Sequence, residues 1–191
     1  MFLKPQELSE VTKRFIVLTG GPGSGKSTLL GALRTSGYVC LDEGGRGIIQ
    51  NQVTIGGRAV PWQDAALFAE LMLSWDMRSY RFAEQSAGPV FFDRGVVDVA
   101  AYFRLIGLAP PVHVENAVKA FRYNPRVFIA PPWREIYSQD RERKQDFEEA
   151  VKTYEAIAAT YTGYGYELIQ LPRETLETRL RFVLDSTGIA R

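Results

Sequence analysis

Residues 20–28 have the composition and the spacing of a phosphate-binding loop, Gly-Gly-Pro-Gly-Ser-Gly-Lys-Ser-Thr. The glycines allow successive backbone N–H groups to point at one anion, and the helix that follows adds its partial positive charge. In this pattern Lys26 reaches the β- and γ-phosphates of a nucleotide, and the hydroxyl of Ser27 binds Mg²⁺. We therefore predict that a nucleotide with Mg²⁺ binds to this loop, through Gly21, Pro22, Gly23, Ser24, Gly25, Lys26, Ser27 and Thr28.

Two apolar runs that follow the loop in the sequence end in acidic residues. Glu43 follows the run at 38–42, where a carboxylate would face the γ-phosphate from the neighbouring strand and accept the proton of an acceptor hydroxyl. Asp42 is the less favoured candidate for this role, and both acids also suit an ordinary polar turn. Asp93 ends the run at 90–93, and we predict that it holds the hydrated Mg²⁺ that Ser27 also contacts.

Charged residues near these acids are candidates for substrate binding. Arg94 directly follows Asp93 and suits either an anionic group of the substrate or a structural ion pair. Asp98 lies one turn into the next predicted helix and is expected in the same cleft. Arg46 follows Glu43 within a glycine-rich turn that permits close approach of a ligand. We predict that Glu43, Arg46, Arg94 and Asp98 bind the substrate.

A polar, mixed-charge segment at 134–144 follows the fourth apolar run. Such a run is usually a solvated helix face. Here it lies between a predicted strand and the next core helix, where small phosphotransferases carry a mobile lid. Arginines on a lid neutralise the transferring phosphoryl group and exclude water on closing. We predict this catalytic role for Arg141 or Arg143, with Arg134 as a weaker candidate.

A parallel sheet is needed to bring these residues together. Short apolar runs predict strands at 15–19, 38–42, 90–93, 126–130 and 167–171, and helical patterns separate them, among them 27–35, 62–83, 146–161 and 174–185. This alternation predicts an α/β fold, a five-stranded parallel sheet with helices on both faces, and ligands beyond the carboxyl ends of the strands. In the helix at 62–83 we expect a core face formed by Phe68, Leu71, Met72, Trp75 and Phe82.

Composition narrows the class of protein. The 191 residues fit one nucleotide-binding domain over 1–191, and the net charge of +1 gives no basic surface for nucleic acid. Cys40 is the one cysteine, which excludes an internal disulfide, and its apolar neighbours predict a small core residue. From residues 1–13, which contain no continuous apolar core, we expect no signal peptide, and no apolar stretch approaches the ~20 residues that span a bilayer. We expect a cytoplasmic protein.

The motifs resemble those of the NadR-like AAA-domain family, from about residue 15 to 182. The phosphate loop is followed in the same order by Glu43…Arg46, Asp93-Arg94-Gly95…Asp98…Ala101-Tyr102 and Pro132-Trp133…Tyr137…Asp140…Arg143. That family comprises small P-loop ATPases and kinases, among them the ribosylnicotinamide kinase domain of a bacterial regulator of NAD metabolism. The chain is also similar to deoxynucleoside kinases, in which a Glu after the second strand is the base. The resemblance implies a P-loop NTPase fold of the kinase type, ATP with Mg²⁺, and a short lid.

Two functions from different classes are compatible with these features. The first is a kinase that transfers the γ-phosphate of ATP to a hydroxyl of a small, nucleoside-like metabolite. The alternative is a nucleotide-dependent binding switch or ATPase that acts on a protein or lipid partner. The acid at Glu43 and the lid favour the kinase, and the absence of an Asn-Lys-x-Asp segment argues against an ordinary GTPase switch. The acceptor and the oligomeric state stay open.

Overall fold

Strands and helices alternate along the computed structural model, which describes residues 10–137 and 147–188. The strands are β1 (Phe15–Gly20), β2 (Val39–Leu41), β3 (Val90–Asp93), β4 (Arg126–Ala130) and β5 (Glu167–Gln170). The helices are α1 (Glu10–Lys13), α2 (Lys26–Thr35), α3 (Gly45–Ile55), α4 (Ala65–Ala83), α5 (Val96–Leu105), α6 (Val112–Ala120), α7 (Phe147–Gly163) and α8 (Leu176–Thr187). A short 3₁₀ helix, Arg134–Ile136, follows β4.

The five strands form one parallel sheet in the order β2-β3-β1-β4-β5. β1 lies between β3 and β4, with Leu18 opposite Asp93 on one side and opposite Phe128 on the other. β2 pairs with β3 and not with β1, so the expectation that the second strand neighbours the first is wrong. The connection from β1 skips one strand position, which β3 later fills. As a result, the end of β3 lies directly beside the loop that follows β1.

Hydrophobic residues cover both faces of the sheet. Along β1 the side chains alternate: Phe15 and Val17 pack into one core, and Ile16 and Leu18 pack into the other. The first core is closed mainly by α4, α5, α6 and α7, and the second by α2 and α8. Strands covered on both faces are almost wholly apolar, which explains why the short apolar runs of the sequence predict them well. The predicted five-stranded sheet with helices on both faces is confirmed.

The helices depart from the sequence predictions at two places. The predicted polar turn around Gly44 is the start of α3, which places Arg46 in the first turn of a helix. In α4 the predicted core face is partly wrong, because Phe82 is 55% exposed and the buried residues are Phe68, Ala69, Leu73, Tyr80 and Ala83. The face that packs on the sheet is therefore rotated from the one that the largest apolar side chains indicate.

Cys40 packs partly buried against the second core. Burial raises the pKa of the Cys40 thiol to about 11, which supports the prediction of an unreactive core cysteine. Among the helices at 10–137 and 147–188, none combines the length and the apolar character required to cross a bilayer.

Candidate active site

The phosphate loop connects β1 to α2, as its sequence predicts. Gly25 caps α2 with φ of 76°, a left-handed conformation that favours glycine. The ammonium of Lys26 is buried inside the loop, where it donates to the Gly21 carbonyl at 2.7 Å and to Ser24 Oγ at 3.3 Å. Oxygen atoms of the loop thus hold the Lys26 ammonium at the position where the sequence pattern requires a positive charge to bind phosphates.

Three other segments enclose the loop from outside. A Cβ atom on Gly21 would lie 2.6 Å from the carbonyl oxygen of Ala150 in α7. On Gly23 it would lie 2.6 Å from the ring of Tyr137, after the 3₁₀ helix. On Gly25 it would lie 2.6 Å from the Arg179 guanidinium in α8. At Gly21 the neighbour is backbone and cannot move aside, so close packing favours glycine there, and at Gly23 and Gly25 the left-handed backbone favours it as well.

Ser27 and Asp93 meet at the mouth of the loop, where β1 and β3 end side by side. The Ser27 hydroxyl donates to Asp93 Oδ2 at 3.2 Å. Asp93 Oδ1 is fully buried and has no hydrogen-bond partner in the described chain. Burial raises the pKa of the Asp93 carboxyl, and the charge of Lys26 opposes that rise. A buried acceptor without a donor, beside a hydroxyl of the phosphate loop, fits a hydrated Mg²⁺.

No group of three or more His, Cys, Asp or Glu side chains at 10–137 and 147–188 forms a metal cage. In the usual Mg²⁺ site of phosphate-transferring proteins, one or two protein ligands and the phosphates share the ion with water. Ser27 and Asp93 are the side chains that would hold it.

Arg94 joins two acids at the carboxyl edge of the sheet. Its Nε donates to Glu43 Oε2 at 2.8 Å, and its Nη1 donates to Asp98 Oδ1 at 3.0 Å. Burial opposes the charge, but Glu43, Asp98 and Asp93 outweigh it and raise the pKa of the Arg94 guanidinium. Its φ of 69° is the one positive value at a described residue other than glycine, and its N–H bonds to the Leu18 carbonyl at 2.9 Å. This uncommon backbone conformation directs Arg94 between the two carboxylates.

Asp98 anchors this arrangement to the rest of the protein. Besides Arg94, it accepts hydrogen bonds from the Thr19 hydroxyl, from the Tyr161 hydroxyl at 2.6 Å and from the Gly95 N–H at 3.0 Å. Both of its oxygens are therefore engaged within the protein. These contacts favour a role in holding Arg94, and direct contact between Asp98 and a substrate stays a prediction.

Asp76 in α4 belongs to the same cluster, although the sequence analysis does not identify it. Burial raises its carboxyl pKa well above the ordinary value, and the charges of Asp98 and Glu43 raise it further. Its carboxylate has no hydrogen-bond partner within the part of the chain that the structure describes. Asp76 lies one helical turn after Met72 and two after Phe68 on one face of α4. An acid in line with apolar residues is the signal that could have identified it.

Apolar and aromatic side chains lie around Gly45, close to the position of the Glu43 carboxylate. A Cβ atom on Gly45 would lie 3.6 Å from Glu43 Oε1, 3.7 Å from the Phe68 ring and 3.8 Å from the Met72 sulfur. The Phe68 ring contacts Tyr102 of α5 edge-on, with centroids 5.7 Å apart. Burial raises the pKa of the Tyr102 hydroxyl to about 12, so it is a neutral donor at physiological pH. A carboxylate beside an apolar wall is the composition of a small-molecule site.

Trp75 holds the segment that carries Glu43. Its indole nitrogen donates to the Asp42 carbonyl at 3.2 Å, and its ring covers Gly44, where a Cβ atom would lie 2.4 Å away. The predicted core role of Trp75 is therefore better described as support for this segment. The Asp42 carboxylate is exposed and pairs with Arg34 at 2.9 Å, which leaves Glu43 as the better candidate for the base.

Four other arginines are also predicted to belong to the site. Arg46 is exposed in the first turn of α3. Arg134 lies over the Phe147 ring at 4.1 Å, at the start of α7. Arg141 and Arg143 lie outside the described residues, so their lid role stays a prediction. A second residue that the sequence analysis does not identify is Arg179, which donates to the Ser24 carbonyl of the phosphate loop at 3.1 Å.

The strand order, the loop after β1 and the acid at the end of β3 define the class: an α/β protein with a kinase-like P-loop fold. A family model described as an AAA domain matches residues 15–179, and the chain belongs to that family. This confirms the resemblance to the NadR-like AAA-domain family that the motifs indicate. No curated protein matches the sequence.

Solved structures of proteins with low sequence identity share the fold. NadR in complex with NAD and AMP-PNP superposes with a TM-score of 0.66 at 16% identity, over 94% of this chain and 51% of that chain. NadR in complex with NR superposes with a TM-score of 0.64 at 18% identity, over 94% of this chain and 53% of that chain. The chain thus spans about half the length of NadR. Deoxyadenosine kinase from M. mycoides with bound dATP matches over 91% of this chain and 99% of that chain, at 13% identity and a TM-score of 0.55.

Proposed function

We propose that this protein is a kinase that transfers the γ-phosphate of ATP to a hydroxyl group of a small, nucleoside-like metabolite. The observation that carries the proposal is the Glu43 carboxylate, which Arg94 orients at 2.8 Å beside the Ser27–Asp93 pair. A nucleotide-dependent switch requires the phosphate loop and a metal site. It has no use for a carboxylate that an arginine orients close to apolar side chains.

The part of the proposed site that holds the phosphate donor, here called the donor half, binds ATP. The backbone of residues 21–28 and the Lys26 ammonium would hold the phosphates, while Ser27 and Asp93 would hold Mg²⁺. When bound, Mg²⁺ neutralises the charge on the β- and γ-phosphates. The lid arginines predicted at Arg141 and Arg143 would add positive charge to the transferring group.

Glu43 would act in the acceptor half, the part of the site that holds the hydroxyl group to be phosphorylated. As the acceptor oxygen attacks the γ-phosphorus, its O–H bond breaks and the proton passes to the Glu43 carboxylate. A new phosphorus–oxygen bond forms, the bond to the bridging oxygen breaks, and ADP leaves. The ion pair with Arg94 fixes the direction of the carboxylate, and the anchored Asp98 in turn fixes Arg94.

The chemistry of the cleft supports a nucleoside-like acceptor. Met72 and Tyr102, which are only partly buried, offer apolar and aromatic surface for a flat ring, and the buried Phe68 ring packs against Tyr102. The Asp76 carboxyl group, which has no hydrogen-bond partner within the described residues, would exchange hydrogen bonds with hydroxyl groups of the acceptor. The solved neighbours agree with this class, since they include NadR in complex with NR and a deoxyadenosine kinase.

A two-stage assay tests the proposal. The purified protein is incubated with ATP and Mg²⁺, first alone and then with each member of a panel of nucleosides and other polyols, and both ADP and phosphorylated product are measured by mass spectrometry. We expect slow ADP formation alone and stoichiometric ADP and phosphorylated product with one class of acceptor. A Lys26→Ala variant, which lacks the ammonium of the phosphate loop, measures the ADP and product that contaminating enzymes form. ADP formation that no acceptor accelerates, without any phosphorylated product, would instead support an ATPase or switch.

A further inference from the structure

Arg179 lies in the first turn of α8 and is only 4% exposed. Its Nη2 donates to the Ser24 carbonyl at 3.1 Å, and its Nη1 is the nearest atom to a Cβ atom placed on Gly25. The Trp133 ring covers the guanidinium at 5.8 Å from its centroid. The guanidinium is therefore packed against the outer side of the phosphate loop, in a segment 155 residues away in sequence.

The charge of Arg179 has no counter-charge in the described protein. Arg94, which is also largely buried, pairs with two carboxylates. Arg179 forms no ion pair at residues 10–137 or 147–188, and its Nε is buried without a hydrogen-bond partner. A buried cation that only a carbonyl and an aromatic ring compensate is costly in free energy. Such a group is explained if an anion binds on the other side of the loop.

The hydrogen bond to Ser24 also determines the orientation of one peptide group. The peptide bond between Ser24 and Gly25 is trans, so its C=O and its N–H point in opposite directions. Because Arg179 holds the Ser24 carbonyl outward, the Gly25 N–H points toward the interior of the loop. A cation on the carbonyl polarises the peptide and strengthens that N–H as a donor.

We propose that Arg179 is a positioning residue of the phosphate site, whose counter-charge is the polyphosphate of the bound nucleotide. It acts through the Ser24–Gly25 peptide and through its charge, without contact with the nucleotide. This inference rests on the proposed nucleotide binding. It predicts that Arg179 affects affinity for nucleotides according to their phosphates and leaves affinity for a nucleoside unaffected.

The test compares Arg179→Met, which removes charge and donors at similar length, with Arg181→Met on the exposed side of the same helix. Calorimetry measures Kd for ATP, ADP and adenosine, and thermal unfolding is followed without nucleotide. We expect Arg179→Met to weaken ATP and ADP by about 10- to 100-fold, with adenosine unchanged. Its unfolding midpoint without nucleotide should be equal to or above that of the parent protein. Arg181→Met should change none of these affinities.

Opposite results overturn the inference. A folded Arg179→Met variant with parental ATP affinity and a lower unfolding midpoint would make Arg179 a packing residue. If Arg179→Met does not fold, Arg179→Gln keeps a donor for the Ser24 carbonyl without the charge, and parental ATP affinity in that variant is equally decisive. A parent protein that binds no ATP refutes the proposed function itself, and this inference with it.

Discussion

Replacing Glu43 by Gln separates its chemistry from its structural role. The amide keeps the shape and can still accept the hydrogen bond that Arg94 Nε donates at 2.8 Å. A hydrogen bond to a charged group contributes about 1.5–3 kcal/mol and a neutral one about half of that. Both side chains are 20% exposed, so we expect a loss of about 1 kcal/mol in the free energy of unfolding. The unfolding midpoint should then fall by about 2–4 °C.

The loss of activity should be far larger than this loss of stability. Gln cannot take the acceptor proton, so kcat for phosphoryl transfer should fall by about 100-fold or more. Kd for ATP should stay within about twofold, because the phosphate loop is untouched. The matched control is Asp42→Asn at the neighbouring acid, which pairs with Arg34 at the surface and should keep full activity. Parental kcat in Glu43→Gln with a loss of activity in Asp42→Asn would refute the assignment of the base.

Three further predictions concern the metal site, the support of Glu43 and the cysteine. Asp93→Asn should reduce the effect of Mg²⁺ on ATP affinity, measured as the ratio of Kd without Mg²⁺ to Kd with Mg²⁺, by about tenfold or more. An unchanged ratio would exclude Asp93 from the metal site. Gly44→Ala forces a Cβ atom into Trp75 and should cost about 1–3 kcal/mol of unfolding free energy and lower kcat. The control Gly47→Ala, with open space around it inside α3, should be neutral or stabilise by up to about 1 kcal/mol, without loss of kcat. Alkylation of Cys40 in the native protein should accelerate up to about pH 11, because only the thiolate reacts and burial disfavours it. A rate that levels off near the ordinary thiol pKa of about 8.5 would contradict that prediction.

The sequence predicts the features whose causes are local. The strands are short apolar runs because both faces of the sheet are covered, and each is found within one residue of its predicted bounds. The phosphate loop is predictable because its glycines, its lysine and its hydroxyl lie within a few residues of each other. Asp93 and Glu43 follow from the rule that ligands bind beyond the carboxyl ends of parallel strands.

The features that depend on distant contacts could not be predicted in this way. Arg179 reaches the loop from 155 residues away, and an arginine at a helix surface is ordinarily solvated. Asp76 enters the acidic cluster next to Trp75, whose indole holds the segment that follows β2, and the helical pattern alone does not specify that contact. The start of α3 was missed because Gly44 and Gly45 carry no capping side chain, so that nothing local indicates a helix.

The position of β3 between β1 and β2 makes the proposed site modular. The consecutive residues Asp93 and Arg94 serve the metal and the base respectively, so they link the two halves at one point of the chain. The wall of the acceptor half is carried largely by α3 and α4, which are inserted between β2 and β3. The described contacts to the outside of the phosphate loop come instead from Ala150, Tyr137 and Arg179. Acceptor preference can therefore be redesigned, or diverge in evolution, through substitutions at 45–83 that leave the nucleotide half intact. The same logic makes this segment the one to exchange in chimaeras that aim at a new acceptor.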